Sequence, residues 1–494
     1  MRFCVFLILT FLILVGGTVS SVGHATESAE FDQLRAQLAE QSAVVRQLEQ
    51  RISQQEGLFG GAPALDSASC TPESVLRLPL VCEETLVESC DGSLSEQSFK
   101  KLDFYTDYDK GISVLPFDAK QNPFSMKVNG WIQFRHHAFS RDVTEWTDNA
   151  GVTRGVRSRN AFDVERGRLV FSGMAIDERL TYFLQLDGDT DGSHAVDFFD
   201  YWWGWKFSKR FRIQMGRRKV TASRQWLLTA RRTRFIDRPM VNDFFRPDRT
   251  VGIYGFGSFG ETGKYELTVG NTHGANVPNS RSDDQLVFAA NSYFDPLGDY
   301  GKSIVDEAID AKPRVRLGHS FVYAPQRGNE RGVPLDETNF LRLSDGTRVN
   351  QVGALAPGVT VSDFDIYMYG VDVATKWNGW SFNGEYFARW IEQIAGDGVL
   401  ANNEIFQHGH YAEGGYFLVA NTLDVNARYS QVSGDFGTSS EVAVGFNWYP
   451  LAKHTMKLSF DVTSLDGSPL QNTATDILVG DDGTLFRTQF QTEF

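Results

Sequence analysis

Hydrophobic and polar residues alternate one for one along most of the second half of the chain. Leu423, Val425, Ala427 and Tyr429 interleave with Asp424, Asn426, Arg428 and Ser430. Val442, Val444, Phe446 and Trp448 interleave with Glu441, Ala443, Gly445 and Asn447, and Met456, Leu458, Phe460 and Val462 with Lys457, Ser459 and Asp461. A period of two predicts β-strands with one apolar and one polar face. Comparable segments begin near Val128, Phe162, Leu180, Val196, Phe211, Val251, Lys264, Leu286, Arg314, Phe364, Trp380 and Tyr411, and the last is Leu485–Phe494. The pattern predicts about sixteen strands over residues 125–494.

Two all-β architectures accept this pattern. A soluble sandwich turns the apolar faces into a dry core, whereas a transmembrane antiparallel barrel turns them to lipid and the polar faces to a wet lumen. Strands of about 8–12 residues suit a tilted bilayer crossing. Tryptophan and tyrosine recur at strand ends (Trp202, Trp203, Trp377, Trp380, Trp390, Trp448, Tyr449), where interfacial girdles require them. Short connections such as Asn378-Gly379 and Ala420-Asn421-Thr422 alternate with long polar ones such as 324–363. The barrel is therefore the expected fold, and the cell outer membrane, with its lipid, the expected setting.

The pattern differs upstream. Arg2 precedes an apolar run from Cys4 to Val15, and small residues at Gly23 and Ala25 bracket His24, so residues 1–25 are expected to be a cleaved signal peptide. Over 27–56 the apolar positions Phe31, Leu34, Leu38, Val45, Leu48 and Ile52 follow spacings of three, four and seven. Those spacings predict a short periplasmic α-helical coiled coil whose seam joins copies of the chain. At under four heptads it is marginal alone, so the barrels are expected to supply most of the association in a homotrimer. Residues 57–124 read as a linker. It carries Cys70, Cys82 and Cys90, an odd number whose pairing is open.

A net charge of −14 disfavours nucleic acid as a partner. One stretch departs from that background, because between Trp205 and Arg249 stand eleven arginines and three lysines against three aspartates. Arg212 alternates with Phe211 and Ile213 and is expected to face the lumen. The segment 220–249 does not alternate, yet Trp226, Leu227, Leu228, Phe235, Phe244 and Phe245 make it too apolar for a solvated outer loop. It is expected to fold into the barrel, with its aromatics on the wall and its arginines in the lumen. Arginine keeps its charge and matches oxyanions with two parallel donors, and rings of basic side chains build anion pores. The other reading is that lumen carboxylates such as Glu165, Asp187, Asp197 and Asp200 neutralise these arginines, leaving a general pore with a transverse field. No zinc-ligand spacing or nucleophile elbow occurs, so no metal, cofactor or catalytic residue is expected. His137 is read as a solvated wall residue.

The runs Arg166-Gly167-Arg168-Leu169, Gly216-Arg217-Arg218-Lys219 and Arg246-Pro247-Asp248-Arg249-Thr250-Val251-Gly252 resemble the phosphate-selective porin O and P family of Gram-negative outer membranes. The resemblance covers about 125–494. It implies a trimeric sixteen-stranded barrel conducting phosphate-like anions, with Arg217, Arg218, Lys219, Arg224, Arg231, Arg232 and Arg234 in the lumen beside Arg212. The chain departs from the family at Val220-Thr221, where Pro-Phe is usual. The terminal Phe494 resembles the signal read by the outer-membrane insertion machinery. The expected function is passive diffusion of small anions, with phosphate and other oxyanions as candidate solutes. The alternatives are a non-selective porin doubling as an envelope tether, and an outer-membrane barrel hydrolase.

Overall fold

The computed structural model describes residues 104–108, 110–120, 123–190, 196–271, 285–328 and 341–494. The signal peptide, the coiled-coil seam from Phe31 to Ile52 and the three linker cysteines lie outside the described residues.

A short hairpin, β1 (Phe104–Tyr108) and β2 (Ile112–Pro116), comes first, so the end of the expected linker carries regular structure. Next are β3 (Ser125–Arg141), a small hairpin of β4 (Glu145–Thr147) and β5 (Thr153–Gly155), β6 (Arg159–Ala175), β7 (Asp177–Gly188), β8 (Val196–Ser208) and β9 (Phe211–Lys219). The chain continues through β10 (Arg249–Phe259), β11 (Gly263–Gly270), β12 (Val287–Phe294), β13 (Arg314–Gln326), β14 (Val361–Trp377) and β15 (Trp380–Gly396). It ends with β16 (Ile405–Val419), β17 (Leu423–Gly434), β18 (Gly437–Trp448), β19 (Met456–Asp466) and β20 (Gly483–Glu493).

Strands β3 and β6–β20 each pair antiparallel with their neighbours, and β20 pairs back onto β3 from Gly483↔Arg141 to Glu493↔Trp131. The result is a closed barrel of sixteen strands, which leaves no sheet edge within the ring. Backbone bonds between Gly130 and Phe494 (3.2 and 3.0 Å) complete the closing rung. The hairpin extends β3 beyond this rung, with Ile112↔Val128 and Val114↔Met126.

The faces fall as a membrane barrel requires. On β18, Val442, Val444 and Phe446 are exposed, Val444 to 55%, while Glu441 is 1% exposed. On β17, Val425 and Tyr429 are exposed, while Asp424, Asn426, Arg428 and Ser430 are buried. The apolar face points out and the polar face in, the reverse of a sandwich.

The connections β6–β7, β8–β9, β10–β11, β14–β15, β16–β17 and β18–β19 are short and share one end with both ends of the ring. One connection at that end is long. Residues 295–313 turn under the barrel, where Ile304 and Val305 pack with Phe417 and Tyr449 against Leu228.

Candidate functional site

The segment between β9 and β10 folds into the barrel. It holds a helical turn Arg224–Leu227 capped by the Ser223 hydroxyl, a 3-10 turn Ala230–Arg232, and a short helix Met240–Phe245 that starts after Pro239. An irregular backbone can be buried only if its polar groups find partners. Here the far wall supplies them. Gln225 N–H donates to Glu385 (2.6 Å), Ile236 N–H to Asp461 (3.1 Å), Met240 N–H to Glu441 (2.7 Å) and Val241 N–H to the Ser430 hydroxyl (3.1 Å). Trp226, Phe235, Met240, Val241 and Phe245 are buried, and Phe245 stacks on Phe387 of β15 at 5.5 Å. Gly409 of β16 permits this approach, because a Cβ there would lie 2.5 Å from Val241 Cγ2.

The same wall takes up part of the segment's charge. Arg224 Nε donates to Asp372 (2.8 Å) and its Nη1 to Asn383 (3.0 Å). Arg234 is buried, donating to Asn426 (3.0 Å) and Ser381 (2.9 Å), with Glu413 at 3.7 Å. Asp237 joins the segment to the opposite wall through Arg135 of β3 and Arg166 of β6 (3.0 Å). Burial alone would raise the Asp237 carboxyl, but Arg135 and Arg166 outweigh it and hold it below its ordinary value.

Between the segment and the wall of β3 and β6–β11 remains a cavity of about 570 Å³. Its cations are Arg166, Arg168, Arg218, Lys219, Arg231, Arg238, Arg246 and Arg249; its carboxylates are Glu165, Asp187, Asp189, Asp200, Asp248 and Glu266. Several are paired: Arg168 with Asp187 (2.7 Å), Arg249 with Asp200 (2.8 Å) and Arg231 with Glu493 (2.9 Å). Three cations have no carboxylate within 4.0 Å among the described residues. Arg218 bonds Gln214 and lies over Phe256 (4.5 Å). Lys219 donates to the carbonyls of Trp226 (2.6 Å) and Leu228 (2.9 Å). Arg238 donates to the carbonyls of Gln225 (3.2 Å) and Leu228 (2.7 Å). Burial, with Arg166 and Arg246 nearby, pushes the Arg238 guanidinium down to about 10, so it stays charged at neutral pH. Trp226 organises the group. Lys219 (4.6 Å), Arg238 (5.4 Å), Arg246 (5.4 Å) and Arg249 (5.6 Å) all lie around its ring.

Of the eight residues expected in the constriction, Arg218, Lys219 and Arg231 line this cavity. Arg224 and Arg234 instead fasten the segment to the far wall, because buried carboxylates and amides there match their donors. Arg232 is half-buried, 3.9 Å from Glu493. Arg212 lies over Phe256 (4.6 Å), outside the cavity. Arg217 is a correction: the register sets it between Tyr201 and Val251, both exposed on the outer wall. Arg238, Arg246 and Arg249 of the 220–249 segment also line the cavity, and Arg166 and Arg168 of β6 join it without having been expected there. Arg166 and Arg168 share one face of β6, a signal available from the alternation. His137 is buried rather than solvated, its Nδ1 2.9 Å from Asp476 and 3.1 Å from Asp163. Arg135 holds the other Asp476 oxygen at 2.9 Å, so Asp476 has a cationic partner and pins the 467–482 connection inward.

A closed sixteen-stranded barrel with an apolar exterior, a charged interior and an inward-folded segment defines an outer-membrane porin channel. Within that class, residues 138–303 match the model of the phosphate-selective porin O and P family. No curated relative matches the chain. Among solved structures it is similar to an anion-selective porin from Comamonas acidovorans (11% identity, TM-score 0.49, covering 75% of this chain and all of that one). It is also similar to OmpT, an outer-membrane protein of Vibrio cholerae (10%, 0.47, 75% and 98%), and to the outer-membrane channel DcaP of Acinetobacter baumannii (10%, 0.45, 75% and 97%).

Proposed function

We propose that the chain forms a water-filled outer-membrane channel for passive diffusion of small anions, with phosphate and other oxyanions as candidate solutes. One observation carries the reading: Arg218, Lys219 and Arg238 border the cavity beside the inward segment with no carboxylate within 4.0 Å among the described residues. Field lines focus where low-dielectric walls narrow, so local charge outweighs the chain total of −14. Acidic groups more than a Debye length away, about 8 Å at physiological salt, count for little. The working unit is a homotrimer, with residues 27–56 as a periplasmic coil and the Phe494 strand presented to the insertion machinery.

The test is a planar-bilayer recording in a KCl gradient. The expected reversal potential is that of a chloride-preferring pore. Lys219→Ala with Arg238→Ala moves it toward potassium, and Lys302→Ala with Lys312→Ala, in the 295–313 connection and outside the cavity lining, moves it little. The pairs Arg168–Asp187 and Arg249–Asp200 favour a second reading, a general pore with a transverse field. A wild-type pore that already prefers potassium supports that reading and sinks the first.

A further inference from the structure

A barrel lumen is ordinarily lined by polar side chains, and one strip of this one is not. On the inward face of β7 and β8, Phe183 and Trp202 stack at 5.4 Å with ring planes 5° apart, and Phe199 follows on β8. All three border the 570 Å³ cavity and are half-buried, so each keeps surface open to it. Phe199 carries Arg249 at 3.7 Å and Arg168 at 4.0 Å. Aromatic surface facing water costs free energy that a polar residue would avoid, since the effect scales with apolar area. It also adds nothing to the binding of an inorganic ion. A solute bearing both an anionic group and a flat apolar body would use both linings.

We propose that the cavity is a subsite for aromatic carboxylates. The carboxylate meets Lys219 and its neighbouring guanidinium groups, while the ring lies against the Phe183–Trp202 stack. The proposal rests on the anion-channel reading above and adds the solute class. The cavity's volume falls within the range of small-molecule sites, about 300–1,000 Å³.

The test uses full-length protein in planar bilayers at pH 7, with benzoate, cyclohexanecarboxylate and acetate as probes. Benzoate is expected to halve the chloride current at about a tenfold lower concentration than acetate, the equivalent of about 1.4 kcal/mol. Cyclohexanecarboxylate should fall between them, because it buries area without a planar face. Trp202→Leu and Phe183→Leu, prepared separately so that one misfolded variant does not end the test, should each cut the benzoate advantage to about twofold. Equal block by benzoate and acetate in the wild type overturns the proposal. An undiminished benzoate advantage in both folded variants does so too. Chloride preference in plain KCl is read separately. A potassium-preferring pore sinks the anion reading and this proposal with it, whereas a chloride-preferring pore indifferent to the ring sinks this proposal alone.

Discussion

Asp237 is the residue whose removal should be felt most across the barrel. It is 1% exposed, accepts from Arg135 and Arg166, and its own carbonyl accepts from Arg428 of β17 at 2.8 Å. Asp237→Asn keeps the shape and deletes the charge between two buried guanidinium groups. Breaking a buried pair by removing one partner costs about 3–5 kcal/mol. Arg135 retains Glu165 at 3.4 Å and Asp476 at 2.9 Å, and Arg166 retains Glu165 at 3.2 Å, which places the expectation near the low end, about 3 kcal/mol. Acid should act in the same sense. The folded carboxyl titrates below its unfolded value, so its contribution is complete above about pH 4 and is lost as pH falls through the folded pKa. Equilibrium urea unfolding in detergent micelles, followed by tryptophan fluorescence, measures the difference at pH 7 and pH 3. A variant within about 0.5 kcal/mol of wild type at pH 7, below what even a modest buried pair contributes, would refute the reasoning.

Asp243 makes the contrast: burial raises its carboxyl despite Arg246 at 2.9 Å, so its ionised form is costly and Asp243→Asn should lose less than about 1 kcal/mol in the same assay. Gly415→Ala should displace Arg234 and its acceptor Asn426, because a Cβ there would run into Asn426 Oδ1 and Arg234 Nη1, lowering stability by about 1–3 kcal/mol and changing single-channel conductance. Val444→Arg, on the exposed face of β18, should cost up to about 2–4 kcal/mol in vesicles, the value for the bilayer midplane, and much less in a detergent that solvates the charge. Deleting Phe494 removes both bonds of the closing rung and should slow barrel assembly, read as delayed heat-modifiable mobility on a gel.

The barrel was legible because strand alternation is a local code. The number of strands in the ring matches the pattern, and the predicted start at Phe211 matches the observed one. The largest displacement came at β16, which begins at Ile405 rather than Tyr411, where Gly409 and the outward His408 and His410 blur the contrast between faces. The inward segment was readable from composition, since apolar residues cannot stay in a solvated loop. Which arginines of that segment face the cavity was not readable. An irregular backbone has no period, and the partners of Arg224 and Arg234 (Asp372, Asn383, Asn426) lie 148 to 192 residues away. Arg217 failed for another reason. The family resemblance places it in the lumen with Arg218 and Lys219, whereas the β9 register places it outside. The β1–β2 hairpin was missed because its ten paired positions are mostly exposed and show no two-face contrast.

The wall contacts that seat the inward segment also order events in time. Ile236 is held by Asp461, 225 residues further along the chain, and Asn447 Nδ2 donates to the Arg234 carbonyl from 213 residues away. Contacts of such separation are slow to form, because the intervening chain must first be placed. The segment cannot take its seat until β18 and β19 have joined the ring. A nascent barrel therefore passes through a stage in which the segment between β9 and β10 has not yet reached its seat on the far wall.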